Sequence, residues 1–227
     1  MQTIGGFQRS TLIDYPGKVA CSVFFNGCNF KCGFCHNPFL IFNSSELISK
    51  EEVLKFLDKR VGLLDGVVLS GGEPCMFSEV VDFAAKVKEK GFLVKLDTNG
   101  AFPDVLERVL PYLDYIAMDI KSSLESYSKV CGVGVNLENV KKSVSLIQES
   151  GVEYEFRTTV VPGLFDVCEM KKICEWLGKG KYVIQGFVSK GEHVDPSFNS
   201  KRGFREEEIK EFVKVAEECF SVEVRNV

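Results

Sequence analysis

The stretch GCNFKCGFCHNP, Gly27 to Pro38, decides how this chain is read. Three cysteines, Cys28, Cys32 and Cys35, stand in a C-x3-C-x2-C array, with His36 directly after the last. The apolar run before it, Val19–Phe25, is rich in strand formers, so the array begins where a strand ends. Such a loop can hold zinc, a disulfide, an iron–sulfur cluster, or nothing. Structural zinc takes four ligands, usually as two spaced pairs, and no second pair exists here. Adjacent Cys35 and His36 also aim poorly at one metal. A cubane cluster is held by thiolates at short spacings, and three of them leave one iron without a protein ligand. An open metal position belongs to catalysis more than to structure. The spacing favours a cluster over zinc, with unliganded thiols as the remaining alternative.

The chain around this loop is ordinary. It has 227 residues, 45% hydrophobic and 26% charged, and reads as a single domain over 1–227. A net charge of −4 gives no basic excess for phosphates, which argues against nucleic acid as a partner. The start, MQTIGGFQRSTLIDYPGK, lacks a signal-peptide core, and no apolar run approaches a membrane span. A cytoplasmic protein without membrane contact is expected. The nine cysteines are odd in number and scattered, unlike a disulfide framework. Outside the tight group, buried free thiol is the expected state of the other six, and His193 is expected to be solvated in a loop.

Strand-like runs alternate with amphipathic stretches. Strands are expected at Val19–Phe25, Gly66–Ser70, Phe92–Asp97, Tyr115–Ile120, Glu153–Val160 and Tyr182–Phe187. Helices are expected near Ser49–Lys59, Ser78–Lys90, Pro103–Leu110, Leu137–Ser150, Val167–Leu177 and Arg205–Cys219. Ser189 to Gly203 is the longest expected loop. This alternation implies a parallel α/β sheet, and polar motifs fall at nearly every strand's C-terminal end. They are the cysteine loop, SGGEP (Ser70–Pro74), DTNG (Asp97–Gly100), MDIK (Met118–Lys121), RTTVVPG (Arg157–Gly163) and IQGF (Ile184–Phe187). Strand ends converge on one mouth in a barrel and spread along a crevice in a doubly wound sheet. The expected fold is therefore an incomplete (β/α)6 TIM-like barrel, and the final SVEVRNV alternates well enough for one extra C-terminal strand.

The cysteine loop followed by SGGEP, with Phe34 before the third cysteine, resembles the radical S-adenosylmethionine (SAM) superfamily. GCNFKCGFCHNP, DTNG, MDIK and RTTVVPG resemble its glycyl-radical-enzyme activases. The opening GGFQRSTLIDYPGKVACSVFFNGC and the IQGF strand look most like the longer type of anaerobic ribonucleoside-triphosphate reductase activating protein. The resemblance implies that Cys28, Cys32 and Cys35 hold a [4Fe–4S] cluster whose open iron binds the methionine moiety of SAM. It also implies cofactor contacts by Phe34, Gly71, Gly72, Glu73, Thr98, Lys121, Arg157 and Gln185, with Glu73 and the two glycines at the amino group and Arg157 at the carboxylate. Asp97, Thr98, the Met118 carbonyl and Asp119 match the surroundings of a monovalent cation in the related pyruvate formate-lyase activase. That activase has a histidine near the end of its sixth strand, where this chain has Gln185. Simpler readings stand beside these: Asp119 can pair with Lys121, Arg157 can make an interstrand ion pair, and Asn99 is a turn residue.

The implied partners are an anaerobic ribonucleotide reductase, through its glycyl loop, and a flavodoxin- or ferredoxin-type electron donor. A pyruvate formate-lyase-like activase, a radical enzyme acting on a small molecule, and a non-catalytic zinc- or cluster-binding module are the alternatives.

Overall fold

The computed structural model describes residues 3–42, 46–189 and 191–226. Among the described residues, eight strands follow chain order in a mixed, mostly parallel sheet: β1 (Ile4–Thr11), β2 (Ala20–Phe25), β3 (Gly66–Gly71), β4 (Leu93–Thr98), β5 (Tyr115–Asp119), β6 (Glu153–Val160), β7 (Lys181–Gly186) and β8 (Ser221–Arg225). The helices are α1 (Pro38–Ile41), α2 (Lys50–Asp58), α3 (Glu79–Glu89), α4 (Pro103–Val109), α5 (Tyr127–Cys131), α6 (Leu137–Glu149), α7 (Val167–Leu177) and α8 (Glu206–Ala216). The chain forms two compact units.

The first unit comprises the described parts of Met1–Asn29, Phe39–Ala117 and Asn139–Glu153. In it β2, β3 and β4 run parallel, and β1 folds back antiparallel on β2 with Gly6 opposite Phe24 and Thr11 opposite Ala20. The expected helices form because their apolar residues recur at helical spacing: Val80, Phe83, Ala84 and Val87 are the buried stripe of α3. Helix α2 starts on the expected capping box, in which the Ser49 side chain accepts from the Glu52 amide and the Glu52 side chain accepts from the Ser49 amide. Strand β1 was absent from the expected set. Its sequence, IGGFQRST, hides the signal under two glycines and a polar run, because this edge strand leaves Arg9 and Ser10 exposed. Gly5 stays a glycine there because a Cβ would lie 2.9 Å from the Asn26 side chain.

The second unit comprises the described parts of Phe30–Pro38, Met118–Glu138 and Tyr154–Val227. Here β6, β7 and β8 are parallel, and the extra C-terminal strand exists as β8. Arg225 anchors it through two bonds, at 2.7 and 2.8 Å, to the fully buried Glu155 of β6. The expected long loop is held down. Amides of Val194 and Asp195 donate to the carbonyls of Cys35 (3.0 Å) and Gly33 (2.9 Å), and Phe198 packs edge-on against Phe34. His193 is 4% exposed, which corrects the expectation of a solvated histidine. The loop buries it because the ring packs against Phe187 and its Nδ1 and backbone N–H both meet Asn199 Oδ1. Among the described residues, no helix is long and apolar enough to cross a membrane.

Candidate active site

In the first unit, three parallel strands end side by side, and each end carries one of the singled-out motifs. Cys28 follows β2, SGGEP follows β3, and DTNG follows β4. The turns after β2 and β3 lock backbone to backbone: Gly72 N–H donates to the Phe25 carbonyl (2.8 Å) and Glu73 N–H to the Gly27 carbonyl (2.9 Å). Such proximity demands glycines. A Cβ on Gly72 would sit 1.9 Å from the Gly27 oxygen, and Gly71 has φ of 115° with Phe25 backbone 2.4 Å from its missing Cβ.

Glu73 is fully buried. Its Oε1 accepts from the Cys75 amide (2.9 Å) and the Thr98 hydroxyl (2.8 Å), and its Oε2 from the Asn99 amide (2.6 Å). The carboxylate thus ties the SGGEP turn to the DTNG turn. Asn99 is a turn residue, since its Oδ1 accepts from Ala101 N–H, but it does more. Its amide nitrogen reaches Asn29 Oδ1 at 2.9 Å and the Cys28 sulfur at 3.9 Å. Helix α6 fixes the same turn from behind, through Ser143 to the Gly100 carbonyl and Asn139 to the Ala101 carbonyl. Asp97 Oδ2 accepts from Ser70 (2.9 Å), and Asp97 Oδ1 is paired with the buried Lys95.

In the second unit the cysteine loop is anchored by Lys31 N–H on the Cys131 carbonyl (2.9 Å). The Cys32 thiol is pulled down to about 7 by a hydrogen bond with the Cys131 thiol, against the effect of burial and with help from Lys121. Burial pushes the Cys35 thiol up, and only in part do the Asn37 amide and Lys121 offset it. Partial desolvation by the surrounding loop, then the neighbouring His193 and Lys121, hold the exposed His36 toward its neutral form. Asp119 is the hub of the charges. Burial would raise its pKa, but Arg157, with Nε 2.8 Å away, and Lys121, with Nζ 3.0 Å away, hold it well below the usual carboxylate range. The simple pairings of Asp119 with Lys121 and of Arg157 with a neighbouring strand's carboxylate are therefore both present. Met118 is buried, Phe34 is nearly so, and Gln185 is half-buried on β7 opposite Thr159 and Arg225.

The family model for the radical SAM superfamily matches residues 22–177 of this chain. The chain belongs to that superfamily. A Methanocaldococcus jannaschii protein named "putative glycyl-radical enzyme activating enzyme" is 33% identical, over 94% of this chain and 91% of that protein. This places the chain among the superfamily's glycyl-radical-enzyme activating enzymes. The pyruvate formate-lyase-activating enzyme of Clostridium pasteurianum is 30% identical, over 73% of this chain and 71% of its own length. Among solved structures, SuiB of Streptococcus suis bound to S-adenosylmethionine superposes with a TM-score of 0.67 at 12% identity, over 87% of this chain and 48% of that one. Methylornithine synthase superposes with a TM-score of 0.64 at 16% identity, over 89% and 63%. At those identities the likeness speaks for the fold alone, the α/β class of the radical SAM partial barrels.

Family membership implies a [4Fe–4S] cluster and SAM, and the donor set fits. Soft thiolates suit iron–sulfur chemistry, and the hydrogen bond from Cys131 favours the thiolate form of Cys32. A cubane takes one thiolate per iron, so the three sulfurs need not close on a single ion. Among the described residues no three His, Cys, Asp or Glu side chains do. Sequence reasoning missed Lys95, Cys131 and the reach of Asn99. Only Lys95 carried a signal, because residues two apart on a strand share a face and Asp97 is its partner.

Proposed function

We propose that this enzyme generates the glycyl radical of an anaerobic ribonucleoside-triphosphate reductase, working as one catalytic domain on that partner's glycine loop. The observation that carries the choice is the opening segment GGFQRSTLIDYPGKVACSVFFNGC, whose resemblance to the long reductase activases extends through the whole hairpin β1–β2 and into the cysteine loop. In this reading Cys28, Cys32 and Cys35 hold the cluster, with electrons delivered by a flavodoxin- or ferredoxin-type donor in the cytoplasm. Bound there, the cluster would supply the single electron for reductive cleavage of SAM with release of methionine, and so the radical chemistry that removes a hydrogen atom from the partner's glycine Cα.

The chain's own residues orient the cofactor and keep water out. The N–H groups of Gly72 and Glu73 are taken up by the carbonyls of Phe25 and Gly27; an ammonium group only donates, so at this turn it is assigned to the carbonyl oxygens of Gly71 and Gly72. Glu73 then acts from behind by fixing the turn, and Thr98 acts with it. Arg157 and Lys121, preorganised on Asp119, are assigned to the cofactor carboxylate. Phe34 and Gln185 complete the cofactor's surroundings. Asn99 donates toward the Cys28 sulfur, and such bonds tune a cluster's potential.

The test is anaerobic reconstitution followed by incubation with SAM, a reductant and either a reductase or a pyruvate formate-lyase. A glycine-radical EPR doublet is expected on the reductase, together with brown absorbance that Cys28→Ala abolishes. SAM cleavage without any doublet on the reductase would overturn the reading. A doublet on the lyase alone would establish the second reading, which the 30% identity to the Clostridium pasteurianum activase favours.

A further inference from the structure

One buried charge in the first unit has no part in the scheme above. Lys95 lies in β4 with its side chain 2% exposed, among the largest fully buried side chains of the molecule. Its ammonium is on Asp97 Oδ1, and Asp97 is 16% exposed. We propose that Lys95 is a positioning residue whose ammonium is the fixed counter-cation of Asp97, so that this carboxylate is neutralised from within the chain and takes no dissolved monovalent cation.

Three observations carry this. Lys95 and Asp97 are two apart on one strand and so share a face, which delivers the ammonium to the carboxylate without a loop or a ligand. A lysine this deeply buried is tolerated only when paired, and here its salt-bridge partner is Asp97. The other Asp97 oxygen accepts from Ser70, the residue before Gly71. Lys95 therefore sets Asp97, and Asp97 sets the entry to the glycine turn, in a line of contacts from β4 to β3. A tethered ammonium also gives up no translational freedom on pairing, as a dissolved ion must. This differs from the cation site that Asp97 and Thr98 were expected to help form. It rests on membership of the superfamily and not on the reductase as partner.

Two measurements, neither needing a partner protein, test it at constant ionic strength in choline buffers. The first is the melting temperature of the metal-free protein as ammonium, methylammonium, sodium or potassium replaces choline. The second is SAM affinity of the cluster-loaded protein under the same titration. The wild type should respond to none of these ions. Lys95→Met, which keeps the length and apolar stem, should melt lower and bind SAM about tenfold more weakly. Ammonium or methylammonium should restore both. A saturable response of the wild type to sodium or potassium overturns the proposal, as does an unaffected Lys95→Met or a loss that no cation restores. Should Lys95→Met fail to fold, Lys95→Met with Asp97→Asn removes both charges. It should fold and ignore cations, and a surviving cation response there would place the ion elsewhere and refute the assignment.

Discussion

Glu73→Gln separates two jobs that one carboxylate can do. The side chain is fully buried and accepts from Cys75 N–H, Thr98 Oγ1 and Asn99 N–H. Glutamine retains one oxygen and replaces the other with an NH2 group. Either orientation sets a donor against a donor, at Asn99 or at Cys75 and Thr98. A charge-assisted bond becomes a neutral one or is lost, and one buried N–H goes unsatisfied. Together these cost about 3 kcal/mol. In a chain of this size that lowers the melting temperature by roughly 6–12 °C. Asn99 should also loosen from Cys28, so the reconstituted cluster should bleach faster in air than in the wild type. The assay is thermal melting of the metal-free protein, paired with SAM binding to the cluster-loaded form. A Glu73→Gln protein that melts within about 2 °C of wild type while losing SAM affinity would refute this reasoning, and would return Glu73 to the direct cofactor contact expected from the motif.

Other outcomes follow from the same contacts. Gly72→Ala should be among the most damaging small substitutions, at about 4 kcal/mol or more, because its Cβ would meet the Gly27 carbonyl at 1.9 Å. Gly134→Ala, with open space around its Cβ, should stay within about 0.5 kcal/mol, and urea melts compare the two. In the reduced, metal-free protein, alkylation of Cys32 should rise with pH around a midpoint of about 7, since the thiolate forms as pH passes the thiol's pKa. Cys35 should follow only at higher pH. Cys131→Ala should move the Cys32 midpoint upward, and peptide mass mapping that finds no shift would remove Cys131 as the cause. Arg225→Met leaves the buried Glu155 carboxylate with Lys181, 3.5 Å away, in place of two close bonds and should cost up to about 3 kcal/mol, while Arg225→Met with Glu155→Met should recover most of it; equal losses in single and double variants would show the pair to be incidental.

The sequence by itself determined the cysteine array, the glycine turn, the strand–helix alternation and the family they resemble, because these are local. Short spacings put Cys28, Cys32 and Cys35 in one loop, the Ser49–Glu52 capping box starts α2, and Val80, Phe83, Ala84 and Val87 recur at the pitch of a helix. It even offered β8, whose SVEVR alternates. It did not reveal β1, where an edge position freed the chain to use glycines and polar residues. Nor did it reveal what each polar side chain faces, which is a matter of register between distant strands. Tertiary structure turned Glu73 inward onto Thr98 and Asn99, residues 25 and 26 positions away. It brought Cys131 to Cys32 and buried His193 against Phe187. Its Nε2 is left without a hydrogen-bond partner among the described residues. The motif thus names which atoms belong to the site. Only packing decides which of them meet the cofactor and which hold the others in place, because a buried polar group must find a partner and the nearest one is rarely near in sequence.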